Sequence, residues 1–336
     1  MSIMGNPDIK FFERNIEQGT EIIEGLLREG QLAVLGGAFG VGKSPLIADL
    51  TIHLLNGIPW CGREVQQRPV IVFDFENGVS IYQRNLQNIC SALKVELPKV
   101  PDELDVYLEQ DSPDQSATKR LLEVVSLPSR MKLEFIRGAL KEKPNALVII
   151  DPLEMLFRID TLKKADVLKL YTDLRLLLSE FPEAANLMTF NLRKKDRRGE
   201  RANLFLDPRG WLEEISGSLD IMNRSDVRLG MDFHNDDIRV INGIRRGEEM
   251  HPLLVKPVGD PDKLAGFELS QADEMDLKLV FTTKQQKHWE KLPEKFRFEA
   301  MADKVVPRAS LSRIIRLAKS LGAIEQQDGN WKKVKL

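Results

Sequence analysis

Residues 37–44 read GAFGVGKS and place glycines, a lysine and a serine at the spacing G-x-x-x-x-G-K-[ST]. Glycines there let backbone N–H groups curl around phosphate oxygens, and a following helix adds its positive N-terminal end. Lys43 is expected to reach the β- and γ-phosphates, and the Ser44 hydroxyl to bind Mg²⁺. A buried-strand pattern precedes the segment and a helical pattern follows it, as a phosphate-binding loop requires. The predicted nucleotide-binding residues are Gly37, Gly40, Val41, Gly42, Lys43, Ser44 and Pro45.

Pro45 is an unusual residue at the end of this motif. Proline is well tolerated in the first turn of a helix. It has no N–H, however, so one donor that such loops usually direct at the α-phosphate is missing. We therefore expect a weaker affinity for nucleotide than the motif alone suggests.

Two carboxylates end other apolar runs. Asp151 ends ALVIID, the position of a Walker-B aspartate that holds the Mg²⁺ shell, although an aspartate that caps a strand is the alternative. Glu76 ends VFDFE, where a carboxylate can deprotonate the attacking water; the alternative is a turn residue before Asn77. Asp74 is expected to point to the same face as Glu76, but deeper.

A polar residue and a basic segment follow the next apolar run. Asn191 ends the run LMTFN, where an amide can sense the γ-phosphate; an ordinary strand cap is the alternative. Residues 193–201 hold six basic and two acidic residues without apolar periodicity, which suits a loop that contacts phosphate backbones. A merely solvated loop is the alternative. The predicted nucleic-acid contacts in this loop are Arg193, Lys194, Lys195, Arg197 and Arg198.

Arg245 and Arg246 lie in a predicted turn between two late strands. An arginine supplied across a subunit interface can neutralise charge in the transition state of phosphoryl transfer. The alternative is a surface turn.

Strand and helix patterns alternate up to about residue 192, which indicates βαβ units and a mainly parallel sheet. Three later segments, 226–233, 238–244 and 252–258, have the pattern of antiparallel hairpins that extend it. The predicted fold is α/β. The predicted division is an ATPase domain over 1–270, a linker over 271–282 and a small module over 283–336.

Composition narrows the class of protein. The chain has 336 residues, of which 42% are hydrophobic and 30% charged, and no apolar run approaches the length that crosses a bilayer. Two cysteines suit free thiols in a reducing compartment, so we expect a cytoplasmic protein with no membrane partner. Residues 283–336 hold 13 Lys and Arg against 6 Asp and Glu, a hint of nucleic-acid contact.

The C-terminal module has the pattern of a winged helix. Helices are predicted over 296–304 and 310–320, with Ser310 as a cap of the second, and a hairpin over 323–334 turns at an Asp-Gly pair. The second helix is expected to enter a major groove while the wing contacts the backbone; protein binding is the alternative. The predicted contacts are Arg313, Arg316, Lys319, Lys332 and Lys333.

Taken together, these motifs resemble the RepA-like family of RecA-fold ATPases, relatives of plasmid replicative helicases, over roughly residues 18–260. The resemblance implies a RecA-like core that binds ATP and Mg²⁺, with Glu76 as catalytic base and Asp151 on the metal. It implies a homo-oligomeric ring, usually a hexamer, with Arg245 or Arg246 acting in trans and DNA in a central channel. Relatives often carry histidine where this chain has Asn191.

Two functions are consistent with these features. The first is an ATP-dependent DNA helicase or translocase of a plasmid, phage or mobile element. The second is an ATP-gated DNA-binding or regulatory oligomer that does not unwind DNA. A filament-forming, recombinase-like protein is a third possibility.

Overall fold

A computed structural model gives the fold of the chain. It describes residues 19–96, 104–110, 128–157, 163–192, 202–205, 207–215, 219–234, 237–245, 247–259, 263–269, 281, 283–320, 323–327 and 329–333.

The strands, in chain order, are β1 (Glu21–Ile23), β2 (Leu27–Arg28), β3 (Leu32–Gly37), β4 (Val70–Gly78), β5 (Leu104–Gln110), β6 (Leu147–Asp151), β7 (Ala185–Asn191), β8 (Val227–Phe233), β9 (Arg239–Arg245), β10 (Glu248–Glu249), β11 (Leu253–Val258), β12 (Gly266–Leu269), β13 (Lys295–Phe296), β14 (Ile324–Gln327) and β15 (Asn330–Lys333). The helices are α1 (Lys43–Asn56), α2 (Val79–Leu93), α3 (Ser129–Glu142), α4 (Leu153–Phe157), α5 (Lys164–Glu180), α6 (Pro208–Leu212), α7 (Leu219–Arg224), α8 (Thr283–Glu290), α9 (Phe298–Met301) and α10 (Arg308–Ser320).

One large sheet has the order β12-β11-β9-β8-β3-β7-β6-β4-β5, with β10 paired to β9. The six strands from β8 to β5 are parallel, whereas β9, β11 and β12 add to the β8 edge in antiparallel fashion. The predicted α/β class with a mainly parallel sheet is therefore confirmed. The prediction for β8 is wrong in one respect, because this strand pairs in parallel with β3 as well as antiparallel with β9.

Helices cover both faces of this sheet, because the central strands are apolar on both sides. Strands β3 and β6 are buried along their whole length, as is typical of parallel strands between helical layers. Alternate residues of β4 divide between two cores: Val70 and Val72 pack with α1 and α2, while Ile71 and Phe73 pack with α3, α4 and α5. Both cysteines, Cys61 and Cys90, are free and buried.

Two paired glycines make room for a helix on one face of the sheet. Gly36 of β3 lies directly opposite Gly230 of β8. A Cβ atom on Gly36 would lie 2.2 Å from the side chain of Ile215, and one on Gly230 would lie 2.5 Å from the ring of Trp211. The segment that contains α6 therefore sits directly on the strand that leads into residues 37–44.

Residues 281–333 have a hydrophobic cluster of their own, formed around Leu311 and Ile314 of α10. Their three strands form a separate sheet in the order β13-β15-β14. The helix predicted over 296–304 is too long: only the four-residue α9 is helical there, and a short strand ends at Phe296. Ser310 does not cap the following helix, because α10 begins at Arg308, whose backbone N–H donates to Asp303 Oδ1 at 2.8 Å.

None of the helices described is long and apolar enough to span a bilayer.

A buried histidine ties α1 to the chain that follows it. His53 Nδ1 lies 3.1 Å from Ile58 O and 2.9 Å from Pro59 O, and Nε2 lies 3.6 Å from Asp49 Oδ1. Both ring nitrogens thus face acceptors, an arrangement that suits the doubly protonated imidazolium. Burial lowers the pKa of His53, but the Asp49 carboxylate and the two carbonyls outweigh it, so the pKa is raised above its usual value.

This histidine makes the stability of the fold depend on pH. Because the folded pKa is the higher one, its contribution is fully present below about pH 6.5 and is lost as the pH rises through the folded value. We expect the urea midpoint of wild type to fall between about pH 6 and about pH 8.5 and that of His53→Gln to fall less. His251→Gln, which changes an exposed histidine, is the matched control. An identical pH dependence in wild type and His53→Gln would contradict the assignment.

Candidate active site

Residues 38–42 form a loop between β3 and α1 at the carboxyl ends of the parallel strands, where ligands bind in open α/β sheets. Gly40 and Gly42 have φ angles of 75° and 106°, a left-handed conformation that favours glycine. The Val41 N–H donates to Ala38 O at 3.3 Å and closes a turn within the loop. Backbone of this kind makes a concavity of N–H groups that binds anions.

Lys43 points its ammonium group back into this loop. Its Nζ donates to Gly37 O at 3.1 Å, to Ala38 O at 3.3 Å and to Asn191 Oδ1 at 3.0 Å, and only 6% of the residue is exposed. Burial lowers the pKa of Lys43, while the carboxylates of Glu76 and neighbouring acids oppose that shift. A cation removed from water in this way is suited to an anionic ligand such as a phosphate.

Asp151 and Asp74 are neighbours in register at the ends of β6 and β4, and each is 1% exposed. The Thr189 hydroxyl donates to Asp151 Oδ1, whereas Asp151 Oδ2 is buried without a hydrogen-bond partner. An unpaired buried carboxylate oxygen fits a ligand of a hydrated Mg²⁺. Ser44, the other predicted protein ligand, is the second residue of α1. Such an ion, when bound, would neutralise charge on the phosphates.

Asp74 also fixes the end of β4. Its Oδ1 accepts from the backbone N–H groups of Glu76 at 2.9 Å and Asn77 at 3.0 Å, and its Oδ2 accepts from Asn77 Nδ2 at 2.8 Å. Burial, helped by the charge of Asp151, raises the pKa of Asp74 to about 6. Asp74 lies deeper than Glu76, as predicted, and Glu76 is exposed at the strand end. Asp74 therefore positions the turn that presents Glu76.

Glu154 is a further carboxylate at this site, and the sequence analysis missed it. It lies in the first turn of α4, three residues after Asp151, and its Oε2 is buried without a hydrogen-bond partner. Burial raises the pKa of Glu154, and the charges of Glu76 and Asp151 add to the shift. The signal in the sequence was an acidic residue three positions after the strand-end Asp151. The α4 helix is itself anchored, since the buried Lys132 Nζ donates to Leu156 O at 2.6 Å.

The chain leaves this site directly into the basic segment. Next to Asn191, the Leu192 N–H donates to Gly37 O at 3.3 Å, and Leu192 also forms an isolated bridge with Ile215. Residues 193–201, with the predicted contacts Arg193, Lys194, Lys195, Arg197 and Arg198, lie outside the described residues. The chain that follows the basic segment is anchored to β9, because Asn242 Nδ2 donates to Leu204 O at 3.0 Å.

Arg245 does not lie in the turn predicted for it. It is the last residue of β9 and pairs with Val227, the first residue of β8. This is the amino-terminal end of the parallel strands, whereas residues 37–43 lie at their carboxyl end. Its guanidinium forms an ion pair with Glu21 at 3.0 Å. Arg246 lies outside the described residues. Arg245 is therefore not placed near the nucleotide site of its own chain.

A cleft of about 500 Å³ opens beside the phosphate-binding loop, and the sequence analysis did not predict it. It is bounded by the loop, the start of α2 and the antiparallel strands, and Pro45 lies on its wall. Three cationic residues line it: Arg84, Arg239 and Lys256. The cleft continues the phosphate site outwards and is large enough for more of a nucleotide than its phosphates.

The predicted contacts of the C-terminal module differ in their surroundings. Arg313 and Lys319 of α10 are exposed, and the Arg316 side chain lies outside the described residues. Lys332 forms an exposed ion pair with Glu325 at 3.5 Å.

Lys333 has a structural role that the sequence analysis did not foresee. Its Nζ donates to Trp289 O at 3.0 Å and to Leu292 O at 2.6 Å, and lies 4.6 Å from the centre of the Trp289 ring. Burial lowers the pKa of this lysine. Its ammonium group thus joins β15 to α8 and is used within the chain.

Fold and site together define the class of protein: a P-loop ATPase with a RecA-like core. A family model described as an AAA domain matches residues 6–196. This is more than half of the chain, which therefore belongs to that family, AAA_25, whose members generally bind ATP with Mg²⁺. No curated protein shows significant similarity to the chain.

Two acids near Lys43 make separable predictions. We expect Glu76→Gln to slow ATP hydrolysis by about 100-fold or more while ATP binding is retained, because Glu76, exposed at the end of β4, is the predicted base. Glu154→Gln is the matched control, and its turnover is expected to fall much less. Phosphate release and a titration with fluorescent ATP measure the two quantities. If Glu154→Gln were inactive and Glu76→Gln active, Glu154 would be the base.

Proposed function

We propose that this ATPase is a DNA helicase or translocase of the RepA-like type, as of a plasmid, phage or mobile element. The observation that carries the proposal is the path from the phosphate site to the basic loop. The ammonium of Lys43 contacts Asn191, and the six cations of residues 193–201 begin two residues later. A change at the phosphates therefore has a short covalent route to a segment whose charge suits a nucleic-acid backbone.

In this proposal the residues of the site have distinct roles. The loop amides and Lys43 bind the triphosphate, Ser44 and Asp151 hold Mg²⁺, and Glu76 takes a proton from the attacking water. When phosphate oxygens are present, Lys43 Nζ turns towards them and releases Asn191. The loop that starts at Leu192 then changes position, which makes its grip on one DNA strand depend on the nucleotide.

A closed ring of identical subunits, with six as the expected number, completes the proposal. Arg245 then reaches the nucleotide of a neighbouring subunit only if its ion pair with Glu21 opens, and Arg246 is the other candidate. The exposed position of Glu76 at the edge of the site suits a site that a second subunit closes.

We further propose that residues 283–333 form a winged helix that contacts duplex DNA. The order helix, strand, helix, helix, strand, strand, with the strands arranged β13-β15-β14, supports this. Arg313 and Lys319, exposed on α10, are the candidates for contact, whereas Lys333 is used internally. Because the Lys333 ammonium group is hydrogen-bonded within the chain, Lys332 is the wing residue that we propose for DNA contact.

An ATP-gated regulatory oligomer without unwinding activity is the second candidate. The contact between Arg245 and Glu21 favours it, because an arginine held within its own chain leaves hydrolysis slow until assembly releases it. In that case nucleotide would control assembly and DNA binding rather than movement along a strand.

Unwinding of forked DNA separates the two candidates. For a helicase we expect ATP-dependent opening of the fork and a several-fold stimulation of ATPase by single-stranded DNA, both absent in Lys43→Ala. The double variant Lys194→Ala/Lys195→Ala should lose the DNA stimulation but keep basal turnover, because it removes backbone contacts only. Lys141→Ala/Lys169→Ala, which removes two exposed lysines from α3 and α5, is the matched control.

Three outcomes are informative. ATP-dependent DNA binding without fork opening would favour the regulatory candidate. Equal loss of stimulation in both double variants would contradict the role of the basic loop. Normal turnover by Lys43→Ala would refute the nucleotide site itself.

A further inference from the structure

Arg239, the first residue of β9, connects the antiparallel strands to the phosphate-binding loop. It pairs with Phe233 in the ladder between β8 and β9, which places it at the same edge of the sheet as the loop. Its Nε donates to Val41 O at 3.2 Å, and its guanidinium carbon lies 4.2 Å from the centre of the Phe233 ring. The planar guanidinium is thus held both by contact with an aromatic ring and by a hydrogen bond to a backbone carbonyl.

The contact with Val41 O sets the direction of the next amide. In a planar trans peptide the C=O and the following N–H point in opposite directions. Since Arg239 draws the Val41 carbonyl towards β9, the Gly42 N–H points away from β9. We expect that side to be the concavity of the loop, which binds phosphate oxygens.

The peptide between Val41 and Gly42 is free enough to rotate that such a contact matters. Gly42 has no Cβ, so rotation of this peptide meets little steric resistance and would present the carbonyl instead of the N–H to an anion. Three other carbonyls of this segment are held locally: those of Gly37 and Ala38 by Lys43, and that of Gly42 by the Leu46 N–H of α1. The Val41 carbonyl is held by a side chain nearly 200 residues away in sequence.

We propose that Arg239 is a positioning residue that orients the Gly42 N–H for phosphate before nucleotide binds. The expected effect of Arg239 on nucleotide affinity rests on the assignment of ATP to this loop. Its expected effect on the orientation of the Val41-Gly42 peptide does not. The competing explanation is that Arg239 only adds positive charge to the cleft, which it lines together with Arg84. The two explanations differ in what happens to the Gly42 amide in the absence of ligand.

The sequence allows a direct observation of this one peptide. Val-Gly pairs occur at Val41-Gly42 and Val258-Gly259 and nowhere else in the chain. Full-length protein labelled with ¹³C at the valine carbonyl and ¹⁵N in glycine therefore gives two signals in a carbonyl-selected amide NMR spectrum. The second signal reports on an amide that Arg239 is not shown to contact, and it serves as an internal control for folding.

We expect Arg239→Gln without nucleotide to shift or broaden the Val41-Gly42 signal and to leave the Val258-Gly259 signal in place. Calorimetry should show ATP and ADP binding weakened by about tenfold or more, the effect of losing one charge-assisted hydrogen bond. Saturating ATP should return the Val41-Gly42 signal towards its wild-type position, because phosphate then orients the amide. Arg239→Lys, which retains a donor, should be intermediate and replaces the glutamine variant if the latter does not fold.

Arg84→Gln is the matched control, since it removes one positive charge from the same cleft. It should leave the Val41-Gly42 signal unchanged and weaken ATP binding less than Arg239→Gln. The inference is overturned if Arg239→Gln leaves that signal in place, or if both variants lose affinity equally with both signals unchanged. Failure of wild type to bind ATP would instead refute the nucleotide assignment, while the spectrum without ligand would still test the peptide.

Discussion

The ammonium group of Lys43, held out of water by backbone and side-chain oxygens, is the interaction on which the site depends. It joins the end of β3, the start of α1 and the end of β7 at one point. Burying an ammonium group is costly unless several acceptors surround it. The surrounding oxygens come from neutral groups, so the cation keeps a strong attraction for a triphosphate. The parallel strand order then brings the carboxylates of Asp151 and Glu76 to the same edge.

Local patterns predicted much of this arrangement. The strand, glycine loop and helix around Lys43 follow from contiguous residues, and so does the placement of Asp151 and Asn191 at strand ends. What the sequence did not disclose depends on contacts between distant residues. The hold of Arg239 on Val41 and the opposition of Gly36 to Gly230 are examples, because each needs the sheet order before it can be seen.

The wrong predictions have the same origin. β8 was expected in an antiparallel set, but its apolar faces also suit a place beside β3. Ser310 has a good residue type for a helix cap, yet Asp303 reaches the first amide of α10 from five residues before that helix. Lys333 looks like an exposed wing residue by type, but its position beside Trp289 provides carbonyl acceptors. In each case tertiary contacts overrode a local preference.

The two ends of the basic segment are anchored differently, and this difference bears on how ATP hydrolysis could move it. The first end starts beside Asn191 and is tied to Gly37, so under the proposed function it would respond to the occupancy of the phosphate site. The second end is tied to β9 through Asn242 and is followed by α6, which sits on the paired glycines of the sheet. Under the proposed function, a shift at the phosphates would displace one end relative to the anchored other end. The segment between them would then have to change shape rather than translate as a whole, which is what a nucleotide-dependent grip on a strand requires.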